Sequence, residues 1–239
     1  MELITNTSIR KAGLVAGLSI LTMAIAAGFS VGYVNGNLIQ FEDAALTVEN
    51  IRNALPLFRA GILGWLIIFI CDVLAAWGLY VWLKSVNPNL SLLTAWLRLI
   101  YAAVLGIALL SYISVLLMLS DDTYFATIPM DQLNAQVMLA LQTFESMWSL
   151  GLIIFGGHLL CLGYLLNQSS SVPKVWSILI LIAGFGYAFI HLSKLILPQF
   201  EDFLSIVEMI LMLPMILGEL GLGVWLIVKA AKNNLSIHE

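Results

Sequence analysis

The chain has 239 residues, 61% of them hydrophobic and 10% charged, with a formal net charge of −4. An ordinary soluble domain carries about 25% charged residues, so a water-soluble core of this composition is excluded. With so small a net charge and no basic stripe, an electrostatic footprint for nucleic acid is excluded as well.

A membrane-spanning helix needs about 20 predominantly apolar residues. Six stretches qualify, at about residues 12–34, 57–83, 92–119, 143–166, 175–197 and 204–228. Arg10 and Lys11 precede the first, and Ala24, Ile25 and Ala26 imitate a cleavage site. The apolar run continues to Val34, longer than the core of a secretory signal, so a retained helix is expected. Ala24, Gly28, Gly32 and Gly36 recur at every fourth position, with Gly13 and Gly17 at the same spacing, and predict a smooth face for close helix packing.

Between the first two spans, Val48, Ile51, Leu55 and Phe58 fall at three- and four-residue steps. This predicts a short amphipathic helix at about 46–55 on the outer interface, with Pro56 opening the second span. KSVNPNLS and NQSSSVPK are short connections rich in turn formers, so spans two and three, and four and five, should form antiparallel hairpins. After DDTYFATIPMDQ an apolar pattern runs from Asp131 to Asn167. As a helix it would be about 54 Å long against about 30 Å of hydrocarbon, so its first turns must project, tilt or break.

Lys and Arg positions set orientation. Arg10, Lys11, Lys84, Lys174, Lys229 and Lys232 fall on one side, and Arg52, Arg59 and Lys194 on the other, which predicts both termini in the cytoplasm. Glu42, Asp43, Glu49, Asp121, Asp122, Asp131, Glu201 and Asp202 make the outer side acidic.

Four ionisable residues interrupt the apolar spans: Asp72, Arg98, His158 and Glu219. A charge at the bilayer centre costs about 2.5–3.5 kcal/mol on insertion scales, so such residues call for partners or a function. Counted from the cytoplasmic ends, they lie at depths of about 18, 10, 13 and 15 Å, one layer within reach of each other. Asp72 and Arg98, on adjacent antiparallel spans, are the expected ion pair. Glu145, His191, Lys194 and Glu208 count to an outer layer at about 27–33 Å, with Arg59 beyond it.

The inner set has the chemistry of a ligand or proton site, and equally of a purely structural ion-pair network. An acyl-transfer enzyme would want a nucleophile with a positioned histidine, and Ser146 or Ser149 near His158 is a spacing any helix supplies. Cys161, three residues after His158, makes only half a metal site, so no metal or cofactor is expected. His158 and His191 differ in depth by about 14 Å, too far to share a haem lying across the membrane, and His238 is in the tail. Cys71 and Cys161 lie in apolar segments and should be free thiols. Trp82, Trp176 and Trp225 fit an inner interfacial belt. Trp65, Trp77 and Trp96 lie deeper and are candidates to line a cavity beside Asp72 and Arg98, against ordinary packing.

The strings LFRAGILGWLIIFICDVLAAWGLYVWLK, TAWLRLIYAAVLG, FGGHLLCLGYLL and LPMILGELGLGVWLIVK, in that order, resemble the bacterial integral-membrane family catalogued as domain of unknown function 4386. Arg59, Asp72, Arg98, His158 and Glu219 stand at the positions of that family's polar pattern. The resemblance implies a multi-pass protein of the bacterial cytoplasmic membrane and transfers no catalytic residue.

The expectation is therefore a single all-α domain, a polytopic bundle of six spans. Its inner polar residues would form a semi-buried site for a small amphipathic ligand, a lipid or a partner protein. A small proton-coupled transporter and an intramembrane enzyme are the alternatives, with a non-enzyme favoured.

Overall fold

The computed structural model describes residues 6–120 and 127–232, except the side chains of residues 6–8, Pro198 and Glu201. Asp121, Asp122 and His238 lie outside the described residues. The first span comprises α1 (Asn6–Ala27), a π-helical segment (Gly28–Asn35) and the turn α2 (Gly36–Leu38). There follow α3 (Ala44–Asn53), α4 (Leu55–Leu83), α5 (Pro88–Leu119), α6 (Met130–Gln168), α7 (Lys174–Ile196) and, after a short 3-10 turn, α8 (Glu201–Ala231). Six helices are long and apolar enough to cross a membrane, and no strand occurs among the described residues.

Sequence sets these boundaries locally. Asp43 caps α3, its side chain accepting from the Leu46 amide at 2.9 Å, and Val48 and Ile51 are buried as their spacing predicts. Asn87 accepts from the Leu90 amide at 3.0 Å just where Pro88 starts α5. The pattern from Asp131 onward does not break: α6 is one continuous helix of 39 residues.

The chain forms two compact units. The first takes residues up to Thr22, Cys71–Ala102 and residues from Ser149 on; the second takes Met23–Ile70 and Ala103–Trp148. In the second, Phe58, Trp65, Tyr112, Phe144 and Trp148 form an aromatic cluster, with Trp65 edge-on to Phe144 and to Trp148 at 4.9 Å each. Many large apolar side chains face outward, among them Ile67, Leu110, Phe185 and Ile210. Lipid is the solvent in which such a surface is stable.

Two expectations need correction. Gly28, Gly32 and Gly36 face outward, and a Cβ on any of them would meet nothing within 4 Å. The interleaved row Ala26, Ser30, Val34 and Leu38 is buried instead. The facing helix decides between the two rows, because Ser30 donates to the Gly61 carbonyl at 3.0 Å and lies where a Cβ on Gly64 would be. Gly17 does pack as expected, against Gly223 and Ile227 of α8.

The second correction concerns tryptophans. Trp77 and Trp96 are 50% and 58% exposed, so they neither sit beside the buried pair nor pack inside the bundle. Five residues after Asp72 and two before Arg98, they point roughly 140–160° away from those buried side chains. Trp65 is fully buried, in the aromatic cluster of the second unit.

Candidate functional site

Close approach of backbones builds the site in the first unit. A Cβ on Gly156 would come within 2.8 Å of the Gly184 carbonyl oxygen, and one on Gly184 within 2.7 Å of the Leu160 amide nitrogen. Glycine at both positions lets α6 and α7 touch backbone to backbone, as small residues do between membrane helices. His158 follows Gly156 by two residues, and Tyr187 follows Gly184 by three.

Arg98 is the hub. Its Nε and Nη2 both donate to Asp72 Oδ1, at 3.0 and 2.8 Å, joining α4 to α5. Its Nη1 donates to His158 Nε2 at 3.2 Å, and its guanidinium lies 5.3 Å from the centre of the Phe155 ring. His158 Nδ1 donates to the Thr94 carbonyl at 2.8 Å. A carbonyl only accepts and a guanidinium only donates, so the network assigns His158 as the neutral imidazole with its proton on Nδ1. Asp72, Arg98 and His158 are buried at 1%, 2% and 0% exposure, each satisfied by the others.

Glu219 is held differently. Its carboxylate is hydrogen-bonded by the Tyr187 hydroxyl and lies in the field of Arg98 and Asp72. It is only partly buried. The structure thus joins the four inner residues predicted from sequence, three through the Arg98 guanidinium and the fourth in its field. One guanidinium serves two carboxylates, so the cluster is electroneutral only when a proton or another cation is also present.

The expected outer layer divides. Arg59, which is exposed, and Glu145, whose charge acts on the Tyr112 hydroxyl, belong to the second unit. His191, Lys194 and Glu208 belong to the first. Lys194 pairs with Glu208 at 2.5 Å, and His191 lies in the field of both. Ser149 Oγ meets His191 Nδ1 at 2.8 Å, whereas Thr143 and Ser146 bond back to the carbonyls of Leu139 and Gln142. The Tyr187 and His191 rings stack at 6.3 Å.

Sequence reasoning missed Thr94, Phe155 and Tyr187, and it weighed Ser149 against His158, whereas Ser149 meets His191. Helical spacing could have found Tyr187, because it shares one face of α7 with His191 and Lys194 at steps of four and three. Glu208 and Glu219, eleven residues apart, share the facing stripe of α8. Thr94 contributes a backbone carbonyl, which no side-chain pattern reveals. Ser149 and His191 meet the distance for a nucleophile and base, but acyl transfer also needs donors aimed at a developing oxyanion, and the described contacts supply none. No group of three or more metal-ligating side chains occurs among the described residues.

The model of the family described as domain of unknown function (DUF4386) matches residues 15–230. This chain is a member of the DUF4386 family. This DUF4386 protein is all-helical among its described residues, with six helices long and apolar enough to cross a membrane. An uncharacterised protein of Archaeoglobus fulgidus is 30% identical over 171 residues, covering 72% of this chain and 84% of the relative. No solved structure matches.

Proposed function

We propose that this DUF4386 protein binds a small amphipathic ligand from within the membrane, with the ligand's cationic or hydrogen-bond-donating head at Glu219. The carrying observation is the contrast inside the cluster: Asp72 and His158 are both bonded to Arg98 in a buried network, while Glu219, a residue that is partly exposed as a whole, has its carboxyl held by Tyr187. The charge count supports the same reading, since two carboxylates around one guanidinium leave room for one positive charge. A neutral donor head would bind with the proton that otherwise completes neutrality retained, whereas a cationic head would take the place of that proton, and its binding would release it. That exchange is the elementary step a proton-coupled carrier would need, and the polar face of α7 from Tyr187 to Lys194 is its natural route.

Native mass spectrometry of the protein extracted in mild detergent tests this. A co-purifying mass should appear on the wild type and on Glu219→Asp and be absent from Glu219→Gln. An adduct-free wild type, or an adduct retained by Glu219→Gln, overturns the proposal.

We further propose that both termini lie in the cytoplasm of a bacterial inner membrane. The gathering of Arg10, Lys174 and Lys229 at one end of the first unit supports that orientation. A reporter active only in the cytoplasm, fused after Glu239, should be active; an inactive reporter on a correctly inserted protein rejects the orientation.

A further inference from the structure

Six cations gather at one end of the first unit, and among the described residues no ion pair joins any of them to a carboxylate. Arg10 Nε donates to the Ala230 carbonyl at 2.7 Å, tying the start of α1 to the end of α8. Lys229, the residue before Ala230, donates to the Ser171 carbonyl at 2.8 Å, with its ammonium 5.1 Å above the Trp225 ring. Lys174 donates to the Asn167 carbonyl in the same turn. Trp225 meets Trp82 at 5.8 Å, which brings the end of α4 to this place, and Lys84 follows two residues later, beside the Tyr80 ring. Lys11 and Lys232 are exposed neighbours of Arg10 and Ala231.

Each of these five contacts is to a carbonyl or an aromatic ring. Carbonyls at helix ends orient cations and contribute a fraction of a charge, but they do not cancel a full one. Residues 84–92, 167–175 and 226–232 include no Asp or Glu. Among the described residues these cations are therefore open to an added anion.

Its chemistry follows from what borders the cations. Directly beyond Lys174 on α7, Val175 and Ile178 are more than half exposed, and on α8 Val224 and Val228 are nearly so. These apolar faces suit acyl chains. Trp176 and Trp225, both partly exposed, supply amphipathic rings of the kind that settle at the headgroup level, whereas Trp82, expected in the same belt, is fully buried behind Trp225. A group anionic at one end and aliphatic at the other matches both halves of the surface, whereas a soluble polyanion matches only the first.

We infer that the turn between α6 and α7, with Lys174 and Lys229 reaching into it and Arg10 beside it, seats the phosphate of an anionic phospholipid whose chains lie along α7 and α8. The lysine stems are already positioned on the carbonyls of Asn167 and Ser171, and the remaining ammonium hydrogens are available to phosphate oxygens. A juxtamembrane cation contributes about 1 kcal/mol to anionic-membrane attraction, so removing two should weaken binding about tenfold or more.

The test titrates the full-length protein in detergent with dioleoylphosphatidylglycerol, with dioleoylphosphatidylcholine and with inorganic phosphate, reading bound lipid by native mass spectrometry. The anionic lipid should bind at least tenfold more tightly than the zwitterionic one, the preference should shrink as salt is raised, and inorganic phosphate should compete poorly. Lys174→Gln with Lys229→Gln should lose the preference, and Lys174→Arg with Lys229→Arg should keep it, which separates charge from folding. Equal affinity for the two lipids, or a preference that survives the double glutamine variant, overturns the inference. Competition by phosphate as effective as by the anionic lipid also overturns it, assigning the site to a soluble anion.

Discussion

Arg98 Nη1 donates to His158 Nε2 at 3.2 Å while the opposite nitrogen of the same ring donates to the carbonyl of Thr94, one helical turn before Arg98. The imidazole is thus clamped to α5 at two points, by a side chain and by the backbone. His158 serves as an acceptor that fixes the guanidinium, and the guanidinium in turn fixes Asp72. Replacing His158 with Leu keeps much of the volume but leaves a buried carbonyl lone pair and a buried N–H unmatched. The expected loss is about 1–3 kcal/mol of stability, read as a lowered unfolding midpoint in detergent; an unchanged midpoint contradicts the clamp.

The Asp72–Arg98 pair should show strong coupling. Asp72→Asn or Arg98→Met alone abandons a buried charge and should cost about 3–5 kcal/mol. The pair Asp72→Asn with Arg98→Met removes both charges and should recover most of that loss. A double-mutant cycle on unfolding midpoints measures it, and additive losses would show that the two side chains do not act together.

Lys194 and Glu208 provide the contrast. Their side chains are 31% and 43% exposed, so solvation competes with the ion pair despite its 2.5 Å separation. Lys194→Met and Glu208→Gln should each cost less than about 1 kcal/mol. A loss as large as that of Asp72→Asn would mean that this end of α7 and α8 is far more enclosed than its exposure indicates.

Much of this was legible in the sequence because the bilayer imposes simple rules. Length and apolarity gave all six spans, and depth counting put Asp72, Arg98, His158 and Glu219 in one layer. What counting cannot supply is rotation about a helix axis. That is why Trp77 and Trp96 were candidates for a cavity they face away from, and why Gly28, Gly32 and Gly36 looked like a packing face. Two four-residue rows run along the first span, one of glycines and one of Ala26, Ser30, Val34 and Leu38, and the choice between them lies in Ser30 and the glycines opposite it. Tyr187 was missed for a different reason: a tyrosine in an apolar span carries no charge to draw attention.

The contact of α6 with α7 yields a further test. Glycine is required where a Cβ would fall on backbone atoms, since backbone cannot turn aside as a side chain can. A methyl group at 184 would sit 2.7 Å from the Leu160 amide nitrogen and 2.9 Å from the Gly156 carbonyl oxygen. Gly184→Ala must push the two helices apart, which should cost about 1–3 kcal/mol and draw Tyr187 and His191 away from Ser149 and Glu219. Gly157, one residue from Gly156, has nothing within 4 Å of its Cβ position, so Gly157→Ala should be neutral or slightly stabilising. Comparing unfolding midpoints of the two variants isolates the steric effect from the general effect of adding a methyl group to a helix. Equal midpoints would show that α6 and α7 do not meet as closely as Gly156 and Gly184 require.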